Sequence, residues 1–313
     1  MRVISTSPSS TEILYALGIE PVAVSHACDY PPAVEDLPVI DVSKVDAEAS
    51  TDRHEQVQEA TADGHLYRMD AETIDAVEPD LIVTQGVCGV CAVDEVLVDK
   101  TISELSVDPR VLALQAHNLE DVLQCVHDVG AATNTEDRAE ALVDSLRERL
   151  DAVETQRPAA DRPRTTVIEW MDPLRPAGSW VPETVETAGG SYVLAKAGER
   201  SESVDWEAVL GVDPERLIVS PCGFDLERTR KRLHELSDRP GWGTMTAVQE
   251  GHVYALDGST YLTRWTPRLV DAVEHLARVC HPETFGSPTD EAGVQRLVPS
   301  DRTDGGHSTQ TST

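Results

Sequence analysis

Along this chain the apolar positions follow two periods that take turns. "RVIST" reads as a short buried strand, and "SPSSTEILYALG" after it as turn, cap, helix and stop. There Ser9 or Ser10 is placed to cap, Glu12 to fall in the first turn, and Gly18 to end the helix. "PVAVS" is the next strand, "DAETIDAVEP" a short helix capped by Asp70, and "DLIVT" a further strand. From Asn118 to Gln156 the period is helical, with a break near Gly130 to Asn134. Its second part has apolar residues at 139, 142, 143, 146, 150 and 153, the one-sided spacing of a long helix. Pro158 and Pro163 end it, and strand "TTVIEW" opens a second series of strands and helices that runs to about Phe285.

One segment recurs. "DAETIDAVEPDLIVTQG" (70–86) matches "DWEAVLGVDPERLIVSPCG" (205–223): Asp, Glu two residues on, an apolar helix face, an acidic-Pro pair, then Leu-Ile-Val. The repeat predicts two lobes of like design, with the long helix between them as connector. Strand–helix alternation makes the fold class α/β, with mainly parallel sheets covered by helices. The expected organisation is an N-terminal lobe over 1–117, a connecting helical segment over 118–157, and a C-terminal lobe over 158–285. Residues 41–66 read as a polar, irregular excursion, and the Gly/Ser/Thr-rich stretch 286–313 as a disordered tail. In parallel sheets ligands gather beyond the carboxyl ends of the strands, which for two facing lobes is the cleft between them.

Charge narrows the partners. With 56 acidic against 26 basic side chains, a formal net charge of -30, the chain is unsuited to nucleic acid or an anionic membrane surface. The excess fits an acidic, well-solvated coat of the kind that keeps proteins soluble in high salt. "MRVISTSPSS" lacks the pattern of a secretory signal, and no apolar run approaches the roughly 18 residues of a membrane helix. As written the chain therefore reads as soluble and cytoplasmic; an initiation site further upstream would leave it extracytoplasmic. Six cysteines are too dilute for a disulfide framework, and Cys125 and Cys280 fall in helical patterns as small core residues.

"RVISTSPSSTEILYALG", "PVAVSHACDYPP", "VEPDLIVTQG" and "VYALDGSTYLTRWTPRLVDAVEHLA" together resemble the periplasmic-type cobalamin-binding proteins of ABC importers. These belong to the wider cluster of metal-chelate binding proteins, siderophore and haem binders included, whose two lobes are joined by one rigid helix. The resemblance spans roughly residues 2–282; the first helix and "CDYPP" are its corrinoid-specific pieces. It implies a periplasmic-binding-protein-like fold that holds a corrinoid between its lobes, without catalysis, and delivers it to a permease and ATPase complex as a monomer. No cofactor or bound metal of the protein's own is implied.

Candidate contacts follow. Aromatic residues are only 4% of the chain, and Tyr30, Tyr67, Trp170, Trp180, Tyr261 and Trp265 lie at strand ends or loops, as pocket faces or as core filling. "SHACDYPP" resembles one cleft edge, with His26 and Tyr30 facing the ligand and two prolines stiffening the rim. His26 is open either to hydrogen bonding and stacking or to ligating cobalt. Gly258 to Arg268 matches a ligand-contacting segment, in which Arg264 either meets the macrocycle's side groups or pairs with a nearby acid. Cys88 and Cys91 form a CxxC in a Gly-rich turn, and with Cys28 and Cys222 they fall on cleft loops. They line the site as small residues or serve a soft metal or a redox step. Glu72 and Glu207 are related by the repeat, and the resemblance makes them the pair that docks on a two-fold permease. Three readings stand beside the importer component: an intracellular corrinoid carrier or salvage protein, a siderophore or haem binder, and a cysteine-dependent metal or redox enzyme.

Overall fold

The first strands build a parallel sheet. β1 (Val3–Ser5), β2 (Ala23–Val24), β5 (Leu81–Gln85) and β6 (Arg110–Leu114) lie in the order β2-β1-β5-β6, every pair parallel. Between them in the chain, β3 (Asp41–Ser43) and β4 (Tyr67–Met69) pair as a separate antiparallel ribbon. That ribbon frames the segment expected to be irregular, with Ile40 and Asp41 buried where it begins. The computed structural model describes residues 1–45, 52, 55–58, 65–86, 93, 95–289 and 293–297. Much of 46–64, the CxxC of Cys88 and Cys91, and most of 286–313 lie outside them.

A second sheet is made of β7 (Arg164–Met171), β8 (Leu174–Pro176), β9 (Ser191–Tyr192), β10 (Arg216–Val219), β11 (Val253–Leu256) and β12 (Val294–Arg296). Its order is β12-β11-β10-β7-β8, with β9 also on β7; β8 and β12 are antiparallel and the rest parallel. β12 falls in the stretch expected to be a polar tail. Val294 is 2% exposed and Leu297 packs on the core, so two apolar anchors suffice to add this edge strand.

Both sheets are covered on both faces, which is why their strands read as unbroken apolar runs. In the first sheet Val3, Leu81 and Val83 face one core, and Ile4 and Ile82 face another beneath the ribbon. In the second, Val167 and Ile218 face the first of these cores, whereas Ile168, Leu217 and Val219 face a separate one. The shared core is continuous through two helices, Leu119–Thr133 and Glu136–Gln156. Asn134 at φ 59° forms the left-handed joint between them, and the helices close together where Gly130 meets Ala139. A Cβ on Gly130 would lie 2.6 Å from that of Ala139. The later helix buries Ala139, Val143, Leu146 and Val153, as its spacing predicts. Arg149 on its side pairs with Asp271 at 2.5 Å and Glu274 at 2.8 Å, on helix Leu269–Cys280 beside the second sheet.

The repeat is a repeat of structure. Asp70 precedes helix Ala71–Ala76 and then β5; Asp205 precedes helix Trp206–Val212 and then β10. Each strand lies inside its sheet. The acid before each proline, Glu78 and Asp213, takes a positive φ, 40° and 43°. The same left-handed joint thus turns each helix into its strand, a conformation that an L residue adopts only where its surroundings hold it.

Candidate ligand site at the seam between the two sheets

The first helix, Pro8–Ala16, sets one wall. Ser7, not Ser9 or Ser10, is its cap: the Ser7 Oγ accepts from the Ser10 N–H, and Pro8 takes the first position, where its missing N–H costs nothing. Starting the helix at Pro8 carries Glu12 beyond the first turn and into the interior, its side chain 3% exposed. Ser9, Ser10 and Thr11 are buried as well, and the hydroxyls of Ser10 and Thr11 bond to Ser5 and Ser7. Thr11 donates to Ser5 at 2.7 Å and lies 3.0 Å from the Cys28 sulfur.

The loop after β2 forms the rim. Ser25 donates to Asp41 at 2.8 Å, and the His26 backbone N–H donates to the other oxygen of that carboxylate at 2.7 Å. The His26 ring Nδ1 lies 3.0 Å from the same oxygen. A carboxylate only accepts, so Nδ1 is the donor in this contact. The ring meets Tyr67 at 5.6 Å. Cys28 follows, and burial pushes its thiol up to about 12 against the Thr11 hydroxyl and Ser25 backbone contacts that lower it. At neutral pH it is a thiol, not a nucleophilic thiolate.

The opposing wall is the loop after β11. It is tightly braced: the Asp257 carboxylate accepts from Ser259, the Thr263 hydroxyl donates to the Gly258 carbonyl, and the Trp180 indole donates to the Leu262 carbonyl at 2.7 Å. Two arginines leave this loop for the first wall. Arg264 grips Asp29 with both terminal nitrogens, Nη1 at 2.6 Å and Nη2 at 2.8 Å, and its Nη1 reaches Glu12 at 3.1 Å. Arg268 holds Glu12 through Nε at 2.8 Å and Nη2 at 2.5 Å, with its guanidinium 4.0 Å above the Tyr30 ring centre. Burial disfavours the charge of Arg264, but bonding to Asp29 and the charges of Asp29 and Glu12 outweigh it and raise its pKa. Loops at the carboxyl ends of strands from both sheets therefore meet in one four-residue ion network.

Of the expected contacts, the structure gathers Cys28, Tyr30 and Arg264 around Glu12, with His26 and Tyr67 alongside. Tyr67 is 9% exposed and belongs to the core under the ribbon. Trp180 and Trp265, expected as pocket faces or core filling, are core residues at 8% and 2% exposure, members of the apolar core that both sheets share. Trp170 is half-buried, edge-on to Phe224 at 5.8 Å on the far core, its indole donating to the Asp172 carbonyl. Tyr261 stands edge-on to His275 at 5.1 Å. Cys88 and Cys91 lie outside the described residues. Glu72 and Glu207 are exposed, each in the first turn of its short helix.

Glu12, Asp29 and Asp41 were not among the expected contacts, and Arg268 entered only as the end of the segment expected to touch ligand. Two signals were available: a glutamate in the otherwise apolar turn "TEIL", and two arginines four apart in "RWTPR".

The chain is 25% identical over 278 residues to a vitamin B12-binding protein of Salmonella choleraesuis, 88% of each chain being covered. It is 25% identical over 295 residues to an uncharacterized ABC transporter substrate-binding lipoprotein of Bacillus subtilis, covering 91% of this chain and 81% of that one. Among solved structures, a periplasmic heme binding protein from Pseudomonas aeruginosa superposes with a TM-score of 0.72 at 19% identity, over 96% of this chain and 98% of that one. The periplasmic vitamin B12 binding protein of Vibrio cholerae gives 0.65 at 22%, over 89% and 97%. The profile described as periplasmic binding protein matches residues 3–260. A two-sheet α/β chain with its seam at the strands' carboxyl ends, matched over most of its length, belongs to the periplasmic binding protein family.

Proposed function

We propose that this chain is the substrate-binding component of an ABC-type importer, and that it captures a corrinoid at the seam without chemistry and hands it to a permease and ATPase. The observation that carries the reading is the seam itself. Loops from the carboxyl ends of β2 and β11 converge there, where parallel α/β sheets present their ligands. The vitamin B12-binding relatives, matched over 88% of both chains, support the corrinoid. Tyr30 supplies a flat apolar face, and Arg264 and His26 supply polar contacts for the ring's fringe. The Cys28 thiol, protonated at neutral pH, serves as a small lining group. We assign Glu72 and Glu207 to docking on the permease, one from each half of the repeat.

The reading of the chain as cytoplasmic gains no support. The Bacillus relative is a lipoprotein, and we place this chain outside the cytoplasmic membrane with it. No helix among the described residues is long and apolar enough to cross a membrane. The test is equilibrium dialysis of the purified chain against cobalamin, cobinamide, haemin and a ferric hydroxamate, read by visible absorption. Corrinoid colour retained at one equivalent is the expected result. Retention of haemin or the hydroxamate instead selects the siderophore or haem reading.

A further inference from the structure

Two arginines at a ligand seam would by themselves suit an anionic guest, but here their partners change the sign of the argument. Glu12 is fixed on the buried side of its helix, 3% exposed, and takes both guanidiniums. Asp29 takes the remaining grip of Arg264. Two positive and two negative side chains thus balance within one network, inside a chain whose formal net charge is -30. The arginines' bonding capacity is not exhausted. Among the described residues, Nε of Arg264 and Nη1 of Arg268 donate to nothing, which leaves directional donors without uncompensated charge.

We propose that Glu12 and Asp29 are specificity-determining residues: they neutralise Arg264 and Arg268, so that the seam takes a chelate fringed by neutral amides and rejects one fringed by carboxylates. This rests on reading the seam as the ligand site. An amide carbonyl accepts from the remaining N–H groups and brings no charge. A carboxylate entering the same space must displace Asp29 or lie against it and Glu12, and like charges set side by side strongly disfavour a complex. Glu12 cannot yield, being enclosed; Asp29, 57% exposed, can be altered without disturbing the core.

The experiment compares cobinamide, whose rim is amidated, with the same corrin ring after its side-chain amides are hydrolysed to carboxylates. Both are measured by dialysis at one fixed ionic strength, on the unaltered chain and on Asp29→Asn. The unaltered chain is expected to prefer the amidated ring by about tenfold or more, and Asp29→Asn to reduce that ratio by about tenfold. Equal binding of the two rings, or an unchanged ratio in Asp29→Asn, overturns the proposal. If neither corrinoid is held, the corrinoid reading fails separately, and haemin against its dimethyl ester becomes the deciding pair. Preference for the ester upholds the role of Glu12 and Asp29; preference for the free acid, or binding of neither, overturns it.

Discussion

Glu12 is almost fully enclosed, with two guanidiniums on its oxygens, so removing it leaves positive charge without its partner in a mostly buried place. Arg264 and Arg268 are 12% and 21% exposed, enough for partial hydration only. Glu12→Ala is therefore expected to destabilise the protein by about 3 kcal/mol, at the low end for breaking a buried pair. Glu12→Gln, which keeps the acceptor oxygen, should lose less. Thermal or urea unfolding measures both, and equal losses would show that charge alone, not the packing and acceptor oxygen that glutamine keeps, is what Glu12 supplies. The sequence hinted at this residue, because a glutamate beside Ile13 and Leu14 is conspicuous in a buried turn. It did not say which way the side chain points. That depends on the cap, and Ser7 rather than Ser9 or Ser10 decides it, through a hydroxyl network that no periodicity records.

At the scale of elements, the loop carrying the arginines is aimed by backbone contact with its neighbour. Gly258 donates to the Phe224 carbonyl at 2.9 Å, and its own carbonyl accepts from Gly223 at 3.3 Å. A Cβ on Gly258 would lie 2.1 Å from the Pro221 carbonyl oxygen, so even a methyl group must push the loops after β10 and β11 apart. Gly258→Ala should accordingly weaken ligand retention by tenfold or more while the protein stays folded. Dialysis together with circular dichroism checks this, and wild-type affinity would mean that the loop does not shape the site. The elements themselves were largely legible. Leu-Ile-Val runs and the one-sided spacing from 139 to 153 report burial directly, and burial sets where strands and helices lie. The aromatic residues misled for the same reason. Trp180 and Trp265 sit beside loops, but a large apolar ring next to a loop is drawn into the core wherever the core has room. β12 escaped notice because only Val294 and Leu297 anchor it within a polar stretch.

At the scale of the whole molecule, the repeat places one exposed glutamate at the start of the corresponding helix beside each sheet. Their helices reach the strands through the same left-handed joint, at Glu78 and Asp213. A partner with two-fold related arginines is what such a pair would suit. Glu72→Lys combined with Glu207→Lys should abolish uptake in cells and leave ligand affinity within twofold. Undiminished uptake by the double variant would remove these residues from docking. Assembly at this scale was the least legible part of the chain, since the seam joins Glu12 to Arg264 and Arg268 across some 250 positions.

The shared core has a consequence for how the protein comes apart. Apolar side chains of both sheets reach into one hydrophobic mass, threaded by helix Glu136–Gln156 and stitched to Leu269–Cys280 through Arg149. Dividing that mass exposes apolar surface on each half, so fragments severed at Asn134 are expected to associate and to be less stable apart. Melting is then a single event, and cargo that tightens one half protects the other.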